Sequence, residues 1–239
     1  MLSKRFSKSA ALLGVSLFGL VVAAAQLVRA QDAKTRYPAM APLNQYLIAD
    51  RNAEIALARS AAPKSISDQA EILVLTEHGY ETAVKGTNGF VCIVERSWTA
   101  GEDAPDFWNP KVRSPFCLNA PAVETYLPLT IMKTNLALAG KSKPQIVAAI
   151  QAALEEKKLP PVARGAMRYM MSKQGYLSGA DGHWHPHVMF FAPSTKPAAW
   201  GANLDNSPIF AAEDTEDRIT VFMVPVPRWS DGTPDSNTQ

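Results

Sequence analysis

Three of the chain's four histidines stand together in Asp181-Gly182-His183-Trp184-His185-Pro186-His187. Neutral imidazole is a common ligand of zinc, copper, nickel and iron, so the segment is a candidate metal site, and an open coordination position there would activate water for hydrolysis. Geometry narrows that idea. On an extended backbone His183, His185 and His187 share a side, but the outer two are roughly 13 Å apart. Zinc holds imidazole nitrogens at about 2.0 to 2.1 Å, so a straight strand offers one ion two successive histidines and not three. Gly182 and Pro186 work against the helix that would align His183 with His187. A distant group must complete the set, and His78, Glu77, Asp181 and Asp103 are candidates by residue type. Zinc or another transition metal is the cofactor such a cluster would take.

A second cluster is aromatic and acidic: Trp98, Glu102, Asp103, Asp106, Phe107 and Trp108, in a proline-rich stretch spanning 97–121. With Trp184 it could line a ligand groove, and we take Trp98, Asp103, Trp108 and Trp184 as the candidate ligand-binding residues. The competing expectation is a packed loop with a solvated acidic edge. A loop this long inside a compact domain is functional or pinned. Cys117 supplies a pin, because it and Cys92 are the only cysteines and their spacing is too wide for a redox C-x-x-C pair. A structural disulfide closing about 25 residues contributes on the order of 3 to 4 kcal/mol in the chain-entropy picture.

Other chemistries lack their motifs. There is no G-x-S-x-G nucleophile elbow, no P-loop, no G-x-G-x-x-G turn and no H-E-x-x-H pair.

The elements that must carry these residues follow from periodicity. Leu43 to Ser60 lacks Gly and Pro and predicts a helix whose face includes Leu43, Leu47, Ile48 and Ile55. Ile72-Leu73-Val74-Leu75 and the alternating Tyr80, Thr82 and Val84 predict two strands turning near His78-Gly79. Asn88-Gly89 then predicts a tight hairpin into Phe90–Val94, completing a three-strand meander. Ala122 to Ala139 reads as a helix interrupted near Pro128. Ser142 and Gln145 have capping-box spacing ahead of an apolar stripe through Ile146, Ile150, Ala153 and Leu154. Ala166–Met171 is strand or short helix, while Val188–Phe191 and Ile219–Val224 are strands. Gly201–Pro208 is a loop, and the tail after Arg228 is expected to be mobile. The order of elements predicts an α+β fold with a mostly antiparallel sheet of about five to six strands, about two to three packed helices, and one covered face.

The N-terminus sets the compartment. Lys4, Arg5 and Lys8 precede the apolar or small run Ser9–Ala25, and a short tract ends at Val28-Arg29-Ala30. This is the order of a secretory signal peptide, with a core shorter than the roughly 20 residues that span a bilayer. Residues 1–30 are expected to be removed, leaving 31–239 as one exported domain, periplasmic or secreted, with no stable membrane span. Their loss removes four basic residues and no acids, leaving 20 basic against 22 acidic. A chain of that balance has no basic field to displace phosphate counterions, which argues against nucleic acid as a partner. Two functions fit: an exported non-catalytic domain binding a small molecule or an envelope partner, or a metal-dependent envelope hydrolase working through the histidine segment.

Overall fold

The β-branched run at Ile72 folds as β1 (Glu71–Thr76), and the alternating segment after it as β2 (Gly79–Val84), paired antiparallel through a turn at Glu77-His78. Gly79 closes that turn at φ 115°, a backbone region that other residues rarely adopt. In this computed structural model, residues 37–101, 104–177 and 184–236 are described.

β3 (Val91–Glu95) is where the expected meander fails. It pairs with β1 in parallel, on the side away from β2. The chain leaving β2 is already beside the start of β1, so residues 85–90 suffice to cross it. The crossing is close: a Cβ at Gly86 would lie 2.2 Å from the Glu71 amide nitrogen, so only glycine fits. Thr87 donates to the Gln69 carbonyl and Glu71 to that of Phe90, which ties the crossing down. Asn88-Gly89 therefore serves a crossover and not a hairpin.

One mixed sheet of eight strands runs in the order β2-β1-β3-β4-β5-β6-β8-β7, antiparallel at every junction except β1–β3. The added strands are β4 (Ser114–Leu118), inside the stretch expected to be a loop, and β7 (Phe210–Asp214). Pro115 is tolerated in β4 because β5 (Met167–Met170) pairs only with Cys117 and Leu118, so no partner needs the missing N–H. β6 (His187–Pro193) and β8 (Ile219–Pro225) complete the sheet.

Five α-helices accompany it among the described residues, more than expected. The first expected helix is divided into a 3-10 turn at Leu43–Gln45 and α1 (Arg51–Arg59), because the Asp50 carboxylate accepts the Asn52 N–H and starts a new helix. α2 (Lys64–Ser67) is a single turn. α3 (Ala120–Thr125) and α4 (Leu127–Leu138) break at Tyr126, beside Pro128 as its position suggests. α5 (Lys143–Glu155) carries the Ser142/Gln145 capping box.

Both faces of the β1–β4 half are covered. α1 packs on β1, β3 and β4 from one side, against Ile72, Val74, Cys92, Val94 and Cys117. α3, α4 and α5 bury the alternate residues, among them Leu73, Leu75, Ile93, Phe116 and Leu118. The expectation of one covered face fails because α1 precedes the sheet and the other helices interrupt it, so each group docks on its own side. The disulfide Cys92–Cys117 joins directly opposed residues of β3 and β4 on the α1 face.

Past β8 the chain is described through residue 236. Trp229 and Asp235 are buried, and the Val226 and Ser230 amides donate to the carbonyls of Pro186 and Met171. An indole and a carboxylate with interior partners hold this segment against the sheet's end.

Candidate functional site

The segment leading into β6 brings His185 and His187 to the end of the sheet, while His183 and Asp181 lie outside the described residues. The two rings have different surroundings. His185 Nδ1 pairs at 2.5 Å with Asp235 Oδ2, whose side chain is fully buried. His187 Nδ1 lies 2.7 Å from the His185 carbonyl and must donate to it, so the lone pair of this neutral imidazole is on Nε2. Burial, the dominant effect, lowers the His187 pKa from 6.5 to about 4. Trp184 covers it edge-on with ring centroids 5.3 Å apart, itself seated on Gly175, where a Cβ would come within 2.5 Å of the indole.

His78 is exposed in the β1–β2 turn, at the same end of the sheet, but β1 and β6 are four strand spacings apart, about 19 Å along the sheet. Among the described residues no group of three or more His, Cys, Asp and Glu side chains gathers in a way that could hold a metal ion. Two histidines of different exposure, one committed to Asp235 and one to a backbone carbonyl, supply only part of a coordination sphere.

The aromatic stretch is placed inward. Trp98 is fully buried and its Nε1 donates to Thr134 Oγ1 at 3.1 Å. Trp108 is buried against Phe107, edge-on at 4.7 Å, and its carbonyl accepts the Tyr46 hydroxyl at 2.8 Å. These indoles act as pillars for the loop and leave little ring surface for a ligand. Asp103 and Glu102 lie outside the described residues.

Under this loop is a cavity of about 170 Å³, whose lining includes Asp106 of the acidic cluster but otherwise residues that the sequence did not single out. β3 ends with Glu95 on its wall, the turn Ser97–Thr99 adds Ser97 and Thr99, β5 adds Arg168, and the α3–α4 break adds Tyr126. Leu177 also lines it. Arg168 reaches Glu95 Oε2 at 3.3 Å, with its guanidinium among the rings of Phe116, Tyr126 and Phe191 at 4.9, 5.7 and 5.6 Å. That cage stabilises a cation which would otherwise be costly to bury.

Glu95 Oε1 and Ser97 Oγ are buried with no hydrogen-bond partner among the described residues. Burial raises the Glu95 pKa above the ordinary carboxylate range, and Arg168 together with the Thr99 hydroxyl oppose that rise. Glu95 and Ser97 thus bring one unpaired acceptor and one unpaired hydroxyl, both buried, to the lining of this cavity. A second buried pair, Lys133 with Asp217 at 2.5 Å, lies under α4, and burial pushes the Asp217 pKa up to about 6.

The signal for Glu95 and Arg168 was present as charges ending or interrupting the apolar runs Val91–Val94 and Ala166–Met171. A charge in a core strand needs a buried partner, but one sequence cannot say which. Compared with protein-family models, curated proteins and solved structures, the chain matches none.

Proposed function

We propose that this protein is a non-catalytic binding domain whose cavity between Glu95, Ser97 and Arg168 takes a small hydroxylated molecule. The observation that carries this is that Glu95 and Ser97, each with a buried side-chain oxygen that no described residue bonds, both line one cavity. A ligand hydroxyl donates to the carboxylate and a neighbouring one accepts from the serine, which removes two unsatisfied groups at once. Tyr126 offers an apolar ring for the carbon skeleton, and the volume suits a compound of a few heavy atoms. Binding is favoured over catalysis because the Glu95 carboxylate is engaged by Arg168, and among the described residues no imidazole bonds Ser97 to activate it. The disulfide suits an oxidising compartment, in keeping with export to the periplasm or beyond.

Calorimetric titration with a panel of short polyols and monosaccharides tests the proposal. A subset should bind saturably and raise the unfolding free energy by about 2.7 kcal/mol at a hundredfold excess over Kd. Ser97→Ala should abolish most of that affinity while leaving stability within about 1 kcal/mol, because it deletes a hydroxyl that has no partner in the fold. A panel without a binder, or binding indifferent to both Ser97→Ala and Glu95→Gln, overturns it.

A further inference from the structure

Among the described residues, the face covered by α1 in the first half of the sheet has no α-helix over its second half. Alternation in β6 and β8 points Phe190, Phe222 and Val224 to that side, where Trp200 of the turn Pro197–Trp200 and Ile209 line the same groove. The result is a groove of about 840 Å³, within the size range of small-molecule sites. Phe190 is 42% exposed and Trp200 59% exposed, large values for such rings. Trp200 is held in place all the same, by its Nε1 donating to Thr195 Oγ1 at 3.3 Å and by the Phe222 ring 5.2 Å away. A fixed aromatic overhang above an apolar floor is preorganised for an apolar guest.

Charge says what kind of guest. Of the described residues lining the groove, Arg164 is the only ionisable one. It is exposed and forms no hydrogen bond or ion pair among the described residues, unlike Arg96 and Arg168, whose guanidiniums are committed inside the protein. A guanidinium at the rim of an apolar channel matches a molecule with one anionic head and a hydrocarbon body, and binds a carboxylate through two parallel hydrogen bonds. A second copy of the chain fits less well, since the free edge of β7 beside the groove ends in Glu213 and Asp214, charges that blunt strand pairing.

We infer that this groove is a binding site for a free alkanoate, its chain between Phe190, Phe222 and Trp200 and its carboxylate on Arg164. The site is separate from the Glu95 cavity and does not depend on it.

The test is displacement of a fluorescent fatty-acid probe from the full chain by octanoate, decanoate and dodecanoate, with dodecanol and anionic phospholipid vesicles in parallel. Affinity should rise roughly tenfold for every two added methylenes. Arg164→Gln should weaken dodecanoate about tenfold and leave dodecanol unchanged, and as an exposed, unpaired residue it is a safe substitution for folding. Phe190→Asp should abolish both. Absence of saturable displacement, affinity unaltered in both variants, or release of the probe by vesicles as readily as by dodecanoate would overturn the assignment. So would a concentration-dependent dimer, seen by sedimentation, that Phe190→Asp dissociates, since that gives the face to self-association.

Discussion

The two faces of the sheet in its β1–β5 half are built on opposite principles. Beneath α1 the buried hydrophobic cluster is Ala58, Ala61, Ala62, Ala70, Ile72, Val74 and Val94 around the Cys92–Cys117 bond, mostly small side chains with Phe90 and Tyr169 packed against them. Beneath α3–α5 the same strands bury Glu95 and Arg168, with Lys133 and Asp217 close by and His187 at the strand ends. Removing charges from water is costly, and a buried ion pair seldom outperforms a hydrophobic replacement. The first face is therefore organised for stability. The second gives up stability to hold polar groups, and the cavity with its two bare oxygens is there. Glu54 is the bridge between them: it belongs to α1 but accepts from Arg96 Nη2 at 2.9 Å and from the Leu75 amide at 3.1 Å.

The contrast can be broken first at that bridge. Arg96→Met should strand the Glu54 carboxylate, which is 1% exposed, and cost about 3–5 kcal/mol in urea unfolding. A loss below about 1 kcal/mol would show that the pair does not anchor the sheet's end. Next, replacing Cys92 and Cys117 together by alanine should lower stability by about 3 kcal/mol. Because the disulfide is on the other face, ligand affinity of the Glu95 cavity should not change at temperatures where the variant is folded. A parallel fall in affinity would mean the faces are not independent.

The third effect sharpens the polar face through pH. His187 has a folded pKa of about 4 against 6.5, so its contribution is complete above pH 6.5 and is lost as pH falls toward 4, a swing of about 3 kcal/mol. Asp217 runs the other way: its folded pKa is raised to about 6 from 3.8, so its contribution is complete below pH 3.8 and is lost as pH rises toward 6. In the wild-type chain the two slopes oppose each other between pH 4 and 6. His187→Gln should uncover the Asp217 slope, with stability falling from pH 4 to 6. Denaturation profiles of wild type and variant that run parallel across this window would count against a buried neutral His187.

Local elements were readable where one rule dominates. The β-branched runs of β1 and β2, the capping box of α5 and the break near Pro128 are each decided by a few neighbouring residues. The disulfide was readable from a count of two cysteines. β4 was hidden by Pro115, and β7, with Phe210-Ala211-Ala212-Glu213-Asp214, carries no β-branched residue to announce it. The parallel course of β3 was hidden because Asn88-Gly89 is as good in a crossover as in a hairpin. Of the expected site residues, Trp98 and Trp108 turned inward, and His185 and His187 took separate partners.

By itself, then, the sequence determined which segments could be helix or strand, where several of them stop, and that a disulfide was available, since these depend on backbone preferences and side-chain chemistry within a few residues. Only the tertiary structure decided that Glu95 meets Arg168 across the sheet, that no metal-holding group of three forms among the described residues, and that Phe190 and Trp200 stay open beside Arg164. Those outcomes depend on which strands become neighbours and which face each helix covers, and burial, charge pairing and cavity shape exist only once that packing is complete.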